Sequence, residues 1–333
     1  MGKLLVALLL GTALFARPAA AQPGAVRIGV LNDQSGMYAD LSGQGSVAAA
    51  RMAVEDFGGT VLGRPVEVIF ADHQNKPDVG AAIAARWYEA EHVDAIVDVP
   101  VSSVALAVQE VARQHNRIVM FSSAGSSDLT GKQCSPVGTQ WTFDTVALSK
   151  GTALAVTRAG GKSWFFITAD YAFGTAMEAD ARATVAQAGG TVVGGVRHPQ
   201  GTTDFSSYLL QAQASKARVV ALANAGSDTI NAVKSAAEFG VAAGGQELAG
   251  LLIFLSDIHA LGLQTAQGLL LTESFYWDLN DRTRAWSQRF GQRMGGRMPT
   301  MAHAGVYSAV THYLKSVQAA GTDEANAVAA KMR

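Results

Sequence analysis

The sequence has one cysteine, few charges and no excess of either sign. Cys134 stands alone among 333 residues, so an intramolecular disulfide is excluded and stability has to come from packing. Charged residues make up 16% of the chain and the formal net charge is −1, which gives no electrostatic reason to expect binding to nucleic acid. The seven histidines show no spacing typical of a metal site, and we expect neither a metal nor another cofactor.

A long uninterrupted apolar run occurs at the N-terminus. Lys3 precedes an apolar stretch over residues 4–16, and Ala19–Ala21 supplies the small residues of a cleavage site. The stretch is too short to cross a bilayer, and the layout is typical of a secretory signal peptide over residues 1–21. We therefore expect a soluble mature chain in the periplasm. A core helix or a membrane anchor is the alternative interpretation.

Short apolar runs alternate with helical patterns in two series that meet near residue 145. Val26–Leu31 is typical of a buried strand, and Ser46–Phe57 has helical spacing that stops before a glycine pair. This alternation predicts an α/β protein with parallel sheets covered on both faces. Removing 21 from 333 residues leaves 312, which is long enough to predict two domains.

The two domains are here called lobes. The end of the second series predicts where the chain crosses from the second lobe back to the first. We expect strands at Leu251–Leu255 and Gly268–Phe275, and helices at Arg282–Phe290 and Met301–Ala319 that return to the first lobe. The hinge is expected near Phe143–Ala147 and Phe275–Leu279, close to Trp141, Asp144 and Trp277. The expected division is a first lobe of residues 22–144 with 278–333 and a second lobe of residues 145–277.

Ligands of parallel sheets bind beyond the carboxyl ends of the strands, and this rule selects several loops. Ser102 and Ser103 lie at a helix start, where hydroxyls and free N–H groups suit a carboxylate, although both serines could simply cap the helix. The small residues of Ser122–Ser126 let a ligand approach the backbone, or form an ordinary tight loop. The first-lobe candidates are Tyr38, Ser102, Ser103, Ser122, Ser123, Ala124 and Gly125.

The second lobe offers aromatic and polar candidates on its own loops. Tyr171 and Phe173 could cover a ligand, or they could belong to the core. Arg197 ends a strand and could bind a carboxylate with two hydrogen bonds, or it could be a solvated surface residue. The second-lobe candidates are Tyr171, Phe173, Arg197, Asn224 and Asp257.

Two glycine motifs imitate nucleotide sites, and each fails on spacing. Residues 43–48 fit GxGxxA, but about a dozen residues separate them from the preceding strand, whereas the dinucleotide fingerprint follows its strand directly. Gly125 to Lys132 resembles a phosphate loop with one residue too many, and Gln133 stands where the loop needs Ser or Thr. A GxSxG elbow, which would indicate a hydrolase, does not occur in the sequence.

The order and spacing of several segments together resemble a known family. They are Ile28–Gly36 with Tyr38, Val47–Phe57, Val99–Ser103, Ser122–Thr130, Asp170–Gly174 and Thr203–Phe205. Over roughly Val26 to Ala320 the chain resembles the solute-binding proteins of branched-chain-amino-acid-type ABC importers, which have the type I periplasmic binding fold. The resemblance implies two Rossmann-like lobes with parallel sheets joined by a hinge.

The resemblance also implies roles for individual residues. Ser102 would bind a ligand carboxylate, Ser123 to Gly125 would supply backbone and hydroxyl contacts, and Phe173 would close over the ligand from the second lobe. Gly125 stands where amino-acid binders of the family usually have Thr, and Asp257 is the best candidate to pair with an amino group. Three longer runs resemble a branch that binds aromatic carboxylates, in which Arg197 would replace part of the amino-acid machinery. They are residues 126–132, residues 164–166 with 169–174, and residues 197–199.

The function implied by the resemblance is capture of a small carboxylate, an aromatic acid or a branched-chain amino acid, by closure of the lobes. The implied partners are the permease and ATPase subunits of an importer, and we expect a monomer with no enzymatic activity. The alternatives are a ligand-sensing domain of the same fold and an exported α/β hydrolase, for which Ser122 and His73 are the one pair on neighbouring loops.

Overall fold

The computed structural model describes residues 24–333, so the predicted signal peptide lies outside the described residues. Two sheets form the centres of two lobes, which confirms the predicted two-lobed α/β architecture with parallel sheets. We call the parts packed on the six-stranded sheet the first lobe and those packed on the four-stranded sheet the second lobe.

The first sheet has the strand order β2-β3-β1-β4-β5-β6, and the second has the order β10-β9-β7-β8. All neighbouring pairs are parallel except β2 with β3. The first-sheet strands are β1 (Val26–Asn32), β2 (Thr60–Val61), β3 (Arg64–Asp72), β4 (Ala95–Asp98), β5 (Ile118–Phe121) and β6 (Gly138–Gln140). The second-sheet strands are β7 (Ser163–Ala169), β8 (Thr191–His198), β9 (Val219–Ala223) and β10 (Glu247–Gly250).

Helices follow the strands along the chain, as parallel pairing requires a crossover connection. Those between the strands of the first lobe are α1 (Gly43–Phe57), α2 (Pro77–Glu89) and α3 (Ser102–Gln114). A helical segment between the lobes comprises α4 (Thr145–Leu148), a π turn (Ser149–Ala153) and α5 (Leu154–Arg158). The remaining α-helices are α6 (Ala172–Gln187), α7 (Ser206–Ala214), α8 (Ser227–Glu238), α9 (Leu255–Leu261), α10 (Asp281–Arg293), α11 (Met301–Ala320) and α12 (Ala325–Met332).

The last three helices belong to the first lobe. Phe290 of α10, Tyr313 of α11 and Val328 of α12 are buried in one core cluster with Ile28 of β1. The chain therefore crosses from the second lobe back to the first before residue 281. We propose to keep the lobe boundaries predicted from the sequence, residues 22–144 with 278–333 and residues 145–277.

Two predicted strands of the second lobe are wrong. The strand placed at Leu251–Leu255 forms four residues earlier as β10, and residues 251–254 are buried without being a strand. The segment Gly268–Phe275 makes a single bridge, from Leu270 to Ala249, instead of a strand. Apolar runs do not reveal hydrogen bonding. Residues 251–254 are buried without strand pairing, and Gly268–Phe275 is partly exposed, with Leu270 53% exposed.

Candidate functional site

A narrow cavity lies between the lobes, beyond the carboxyl ends of the strands. Its free volume is about 20 Å³, enough for roughly one water molecule. The lobes are therefore closed on one another in this structure. The residues that line it are Tyr38, Leu41, Pro100, Val101, Ser102, Ser123, Gly125, Tyr171, Phe173, Ala225, Leu252 and Phe254. Six of these are residues selected from the sequence.

The first lobe supplies the polar wall of this cavity. Ser102 is the first residue of α3 and is 1% exposed, and its Oγ accepts a hydrogen bond from the Ser126 N–H at 3.1 Å. This contact leaves the hydroxyl proton of Ser102 available to a ligand, at the positive end of the α3 dipole. Ser123, on the loop after β5, is 8% exposed and also lines the cavity.

The loop from β4 to α3 has an unusual backbone. Asp98, Val99 and Val101 have φ angles of 85°, 50° and 71°, in the left-handed region that β-branched residues avoid. Such conformations cost on the order of 1–3 kcal/mol each and cluster at functional sites. They turn the chain so that Pro100, Val101 and Ser102 all line the cavity.

Gly125 is required by close packing against aromatic rings. A Cβ atom at this position would lie 2.9 Å from the Phe173 ring and 3.1 Å from the Phe143 ring. The absence of a side chain therefore lets Phe173 of the second lobe approach the loop after β5. Threonine, which the family resemblance would place here, would not fit in this closed arrangement.

A hydrogen bond between two tyrosine hydroxyls joins the lobes at the aromatic wall of the cavity. The hydroxyls of Tyr38, in the first lobe, and Tyr171, in the second, are 3.0 Å apart, and Gln200 Nε2 donates to the Tyr38 hydroxyl at 3.1 Å. Burial raises the pKa of Tyr38 to about 12, so that this hydroxyl stays neutral and can act as donor or acceptor. A second link between the lobes joins Asp180 of α6 to Ser127 at 2.9 Å, and the same carboxylate accepts from Thr145 at 2.6 Å within the second lobe.

Four predicted residues lie next to the cavity without lining it. The Ser122 hydroxyl lies 3.3 Å from Asp98, and the Ala124 carbonyl accepts from Gln140 at 2.9 Å. Ser103, the second residue of α3, is half-buried. The fourth, Asn224, is fully buried and contacts His198 and Thr229.

Arg197 does not reach the cavity. Its guanidinium lies 3.3 Å from Asp170, 3.3 Å from Glu178 and 3.0 Å from the Thr175 hydroxyl. The side chain is 43% exposed. Its contacts are those of an exposed ion-pair network on the second lobe, the surface role that the sequence left open.

Asp257 is buried at the start of α9. Its carboxylate accepts from the Phe254 N–H at 2.9 Å, which stabilises the first turn of its own helix. Burial raises the pKa of Asp257 to about 7. A nearby carboxylate, Glu273, also has its pKa raised by burial, to about 8, and this group accepts from the Leu255 N–H at 3.2 Å.

The sequence analysis missed the apolar residues that complete the cavity. Leu252 and Phe254 line it, but their segment was interpreted as a strand whose side chains belong to the sheet. Pro100 and Val101 lie within a loop that the strand-end rule selects, and Leu41 lies just after another. Serines at strand ends stand out in the sequence by their polarity, whereas apolar residues that line a cavity have the same composition as core residues.

A wider cleft of about 670 Å³ lies beside the narrow cavity, with Gln34, Asp40, His259, Trp277 and Arg297 among its lining. All twelve predicted site residues lie within the described part of the chain, and none of them lines this cleft. Across residues 24–333 no group of three or more His, Cys, Asp or Glu residues is arranged to hold a metal ion.

The pair needed for a hydrolase is not assembled. The Ser122 hydroxyl contacts Asp98, while Nδ1 of His73 accepts from the Asn75 N–H at 3.0 Å. Burial lowers the pKa of His73 to about 4, which makes it a weak base at neutral pH. Lys132, in the segment that imitates a phosphate loop, forms an ion pair with Asp128 at 3.0 Å.

Comparison with known proteins gives a family match over nearly the whole described chain. The family model described as periplasmic binding protein matches residues 25–333. Curated relatives named Leu/Ile/Val-binding protein homolog 6, such as that of Brucella melitensis, are 30% identical over 257 residues, or 76% of this chain. The chain spans 65% of the length of the curated relatives it matches. None of the helices in residues 24–333 is both long and apolar enough to cross a membrane.

Solved structures of similar fold match most of the chain. A periplasmic binding protein from Burkholderia mallei is 49% identical with a TM-score of 0.90, covering 92% of this chain and 81% of that chain. A branched chain amino acid ABC transporter periplasmic ligand-binding protein from Burkholderia xenovorans LB400 is 40% identical (TM-score 0.81; 92% and 82% covered). An ABC transporter solute binding protein from R. palustris, solved in complex with 4-hydroxybenzoate, shares the fold at 23% identity (TM-score 0.83; 92% and 84% covered).

Proposed function

The chain belongs to the periplasmic binding protein family, and on that premise we propose that it is the extracytoplasmic substrate-binding component of an ABC importer. It captures a small carboxylate between its lobes and delivers it, unaltered, to a membrane permease driven by an ATPase. We propose that it works as a monomer in the periplasm. The observation that carries the proposal is the cavity between a serine wall on one lobe and an aromatic wall on the other.

We expect a ligand to close the lobes, because each lobe supplies one wall of the cavity. Ser102 and Ser123 belong to the first lobe, and Tyr171 and Phe173 belong to the second. A ligand that contacts both walls binds the closed form better than the open form and shifts the population towards closure. Because the closed cavity holds about 20 Å³, an acid ligand has to enter the open form, and the walls have to lie further apart around it than they do in this structure.

The ligand that we favour is an aromatic carboxylate. Tyr38, Tyr171, Phe173 and Phe254 give the cavity aromatic surfaces, and rings pack well on rings in offset or edge-to-face arrangements. The carboxylate would lie at Ser102 and the start of α3. Branched-chain amino acids remain the second candidate class, because apolar side chains also suit this lining. The 4-hydroxybenzoate complex of the R. palustris protein shares only the fold, and it supplies a sensible first probe.

Small-angle X-ray scattering and calorimetry test this function together. We expect benzoate, 4-hydroxybenzoate or leucine to bind with a measurable enthalpy and to reduce the radius of gyration at saturation. Recovered ligand should be chemically unchanged by mass spectrometry after long incubation. Tight binding without compaction would contradict closure, and conversion of the ligand would favour the hydrolase alternative.

The hydrolase alternative has its own discriminating variant. His73→Ala removes the one histidine on a loop neighbouring Ser122. A binding protein should keep its affinity within about twofold after this change, because His73 does not line the cavity. An enzyme that uses His73 as a base would lose turnover by about 10²–10⁴-fold, which a product assay with ester or amide derivatives of the probes would reveal.

A further inference from the structure

A buried carboxylate lies directly behind the serine wall. Asp98 ends β4 and is fully buried. Its Oδ2 accepts from Asn32 Nδ2 at 3.0 Å, and its Oδ1 is hydrogen-bonded to the hydroxyls of both Ser122 and Ser123. Of these neighbours Ser123 is the one that also lines the cavity. Asp98 is thus separated from the cavity by a single side chain, Ser123, to which it is hydrogen-bonded.

The surroundings of Asp98 can hold its negative charge. Within residues 24–333 the hydrogen bonds to this carboxylate come from neutral donors, one amide and two hydroxyls. A buried anion is stable when such donors replace its water shell. Burial raises the pKa of Asp98, and the neutral hydroxyl and amide groups around it, Ser123 foremost, oppose that rise. An anion is the stronger acceptor for all three donors, because hydrogen bonds to an ionised oxygen are stronger than those to a neutral one.

The charge decides which way the Ser123 hydroxyl points. A serine hydroxyl has one proton to donate and two lone pairs that accept. A hydrogen bond to a carboxylate is stronger than one to a neutral group, so the Ser123 proton points at Asp98. Ser102 differs, because its Oγ already accepts from the Ser126 N–H and its own proton stays available.

We propose that ionised Asp98 holds the hydroxyl proton of Ser123, so that Ser123 presents only lone pairs to the cavity and the site selects acids with a second hydrogen-bond donor. This inference rests on the proposed function. It assigns the ligand carboxylate to Ser102 and places a hydroxyl or ammonium group of the ligand at Ser123. Asp98 is then a positioning residue, since it acts on the ligand through Ser123.

The substrate class that follows is hydroxylated aromatic acids or amino acids rather than simple carboxylates. A ligand without a donor would bury the Ser123 lone pairs unpaired, which a site built for a donor disfavours. We therefore expect 4-hydroxybenzoate to bind about tenfold more tightly than benzoate, or leucine to bind about tenfold more tightly than 4-methylpentanoate. Each pair differs by one donor group, which in leucine also carries a positive charge, so the affinity ratio within a pair reports on that group.

The test measures these two ratios by calorimetry for the full chain and four variants. Ser123→Ala removes the acceptor, and Asp98→Asn removes the charge that orients it. Ser122→Ala is the matched control, because Ser122 contacts the same Asp98 oxygen but does not line the cavity. Ser102→Ala should weaken both members of a pair equally. Circular dichroism and thermal unfolding establish that each variant is folded.

In the unmodified protein one of the two affinity ratios should be about ten. We expect Ser123→Ala and Asp98→Asn to reduce that ratio to a value between about one and three, while Ser122→Ala leaves it unchanged. If Asp98→Asn fails to fold, the contrast between Ser123→Ala and Ser122→Ala decides. Ratios near one in the unmodified protein, a ratio that survives Ser123→Ala, or equal losses in the Ser122 and Ser123 variants would each overturn the inference. Failure of all four acids to bind would instead overturn the proposed function, and the inference with it.

Discussion

At the scale of single residues, the cavity depends on where side chains are small. Gly125 lies under the rings of Phe173 and Phe143, and Ser102 fits beside it at the start of α3. Gly125 allows the rings to approach the backbone closely, and Ser102 supplies a small polar group. Each position can be tested by a substitution that changes one heavy atom, a methyl carbon added at Gly125 or a hydroxyl oxygen removed at Ser102.

Replacing Gly125 with alanine should oppose closure. The new Cβ would press on the Phe173 and Phe143 rings, at about 3 Å, and overpacking of this kind costs about 1–3 kcal/mol. We expect the affinity for a bound acid to fall by about 5–100-fold, as measured by calorimetry. Gly244→Ala is the control, because its Cβ would meet nothing closer than 3.4 Å. Equal affinities of the Gly125 and Gly244 variants would show that the rings can move aside.

Replacing Ser102 with alanine should remove a hydrogen bond to the ligand carboxylate. Bonds to charged groups are worth about 1.5–3 kcal/mol, so we expect affinity for any bound acid to drop by about 10–100-fold. Ser103→Ala is the control, since Ser103 occupies the next position of the same helix and does not line the cavity. A larger loss in the Ser103 variant would place the carboxylate elsewhere.

At the scale of elements, the loops after β1 and β7 meet at the hydroxyls of Tyr38 and Tyr171, 3.0 Å apart. This contact joins elements of different lobes. Asp180 of α6 makes a second connection between the lobes through Ser127. Closure is thus stabilised by a few directional hydrogen bonds, each of which a conservative substitution can remove.

Tyr171→Phe should weaken the closed state while the ring surface stays in place. Loss of one neutral hydrogen bond costs about 0.5–1.5 kcal/mol, so we expect about a two- to tenfold loss of affinity. The radius of gyration of the ligand-free protein should also increase. Tyr208→Phe, within the aromatic cluster of the second lobe, is the control. An unchanged radius in the Tyr171 variant would mean that this hydroxyl pair does not hold the lobes together.

At the scale of the whole molecule, buried acids near the crossing between lobes predict how stability depends on pH. Burial raises the pKa of Glu273 from 4.5 to about 8. The folded state therefore holds this proton more tightly than the unfolded state, and its stabilising effect, complete below about pH 4.5, is lost as pH rises towards 8. Asp257, whose pKa burial raises from 3.8 to about 7, contributes in the same direction.

Glu273→Gln should flatten this dependence. The amide stays neutral at all pH values and keeps an oxygen for the Leu255 N–H that Glu273 binds at 3.2 Å. We expect the variant to lose less thermal stability than the unmodified protein between pH 5 and about pH 8.5, as measured by scanning calorimetry. Glu238→Gln, at the exposed end of α8, is the control. Parallel curves for the Glu273 variant and the unmodified protein would contradict a buried, proton-binding Glu273.

The sequence predicts the positions of the loops at the site better than it predicts the contacts of individual side chains. The loops that carry Ser102, Ser123, Tyr171 and Phe173 meet at the cavity, because the carboxyl ends of parallel strands share one edge. Arg197 follows the same rule, yet its guanidinium is bound by Asp170 and Glu178. Strand ends fix where a loop begins, but the partners of a long side chain depend on a helix that arrives from elsewhere in the chain.

The sequence by itself carried the resemblance to the family. Its periodicity and strand ends predicted the two α/β lobes and the loops expected at the cleft, because these are local properties of the chain. Only the tertiary structure decided which of these residues meet. The cavity lining of Leu252 and Phe254, the contact of Tyr38 with Tyr171 and the position of Asp98 behind Ser123 all join segments distant in sequence. Such contacts follow from how two lobes pack on one another, and a one-dimensional pattern does not encode that packing.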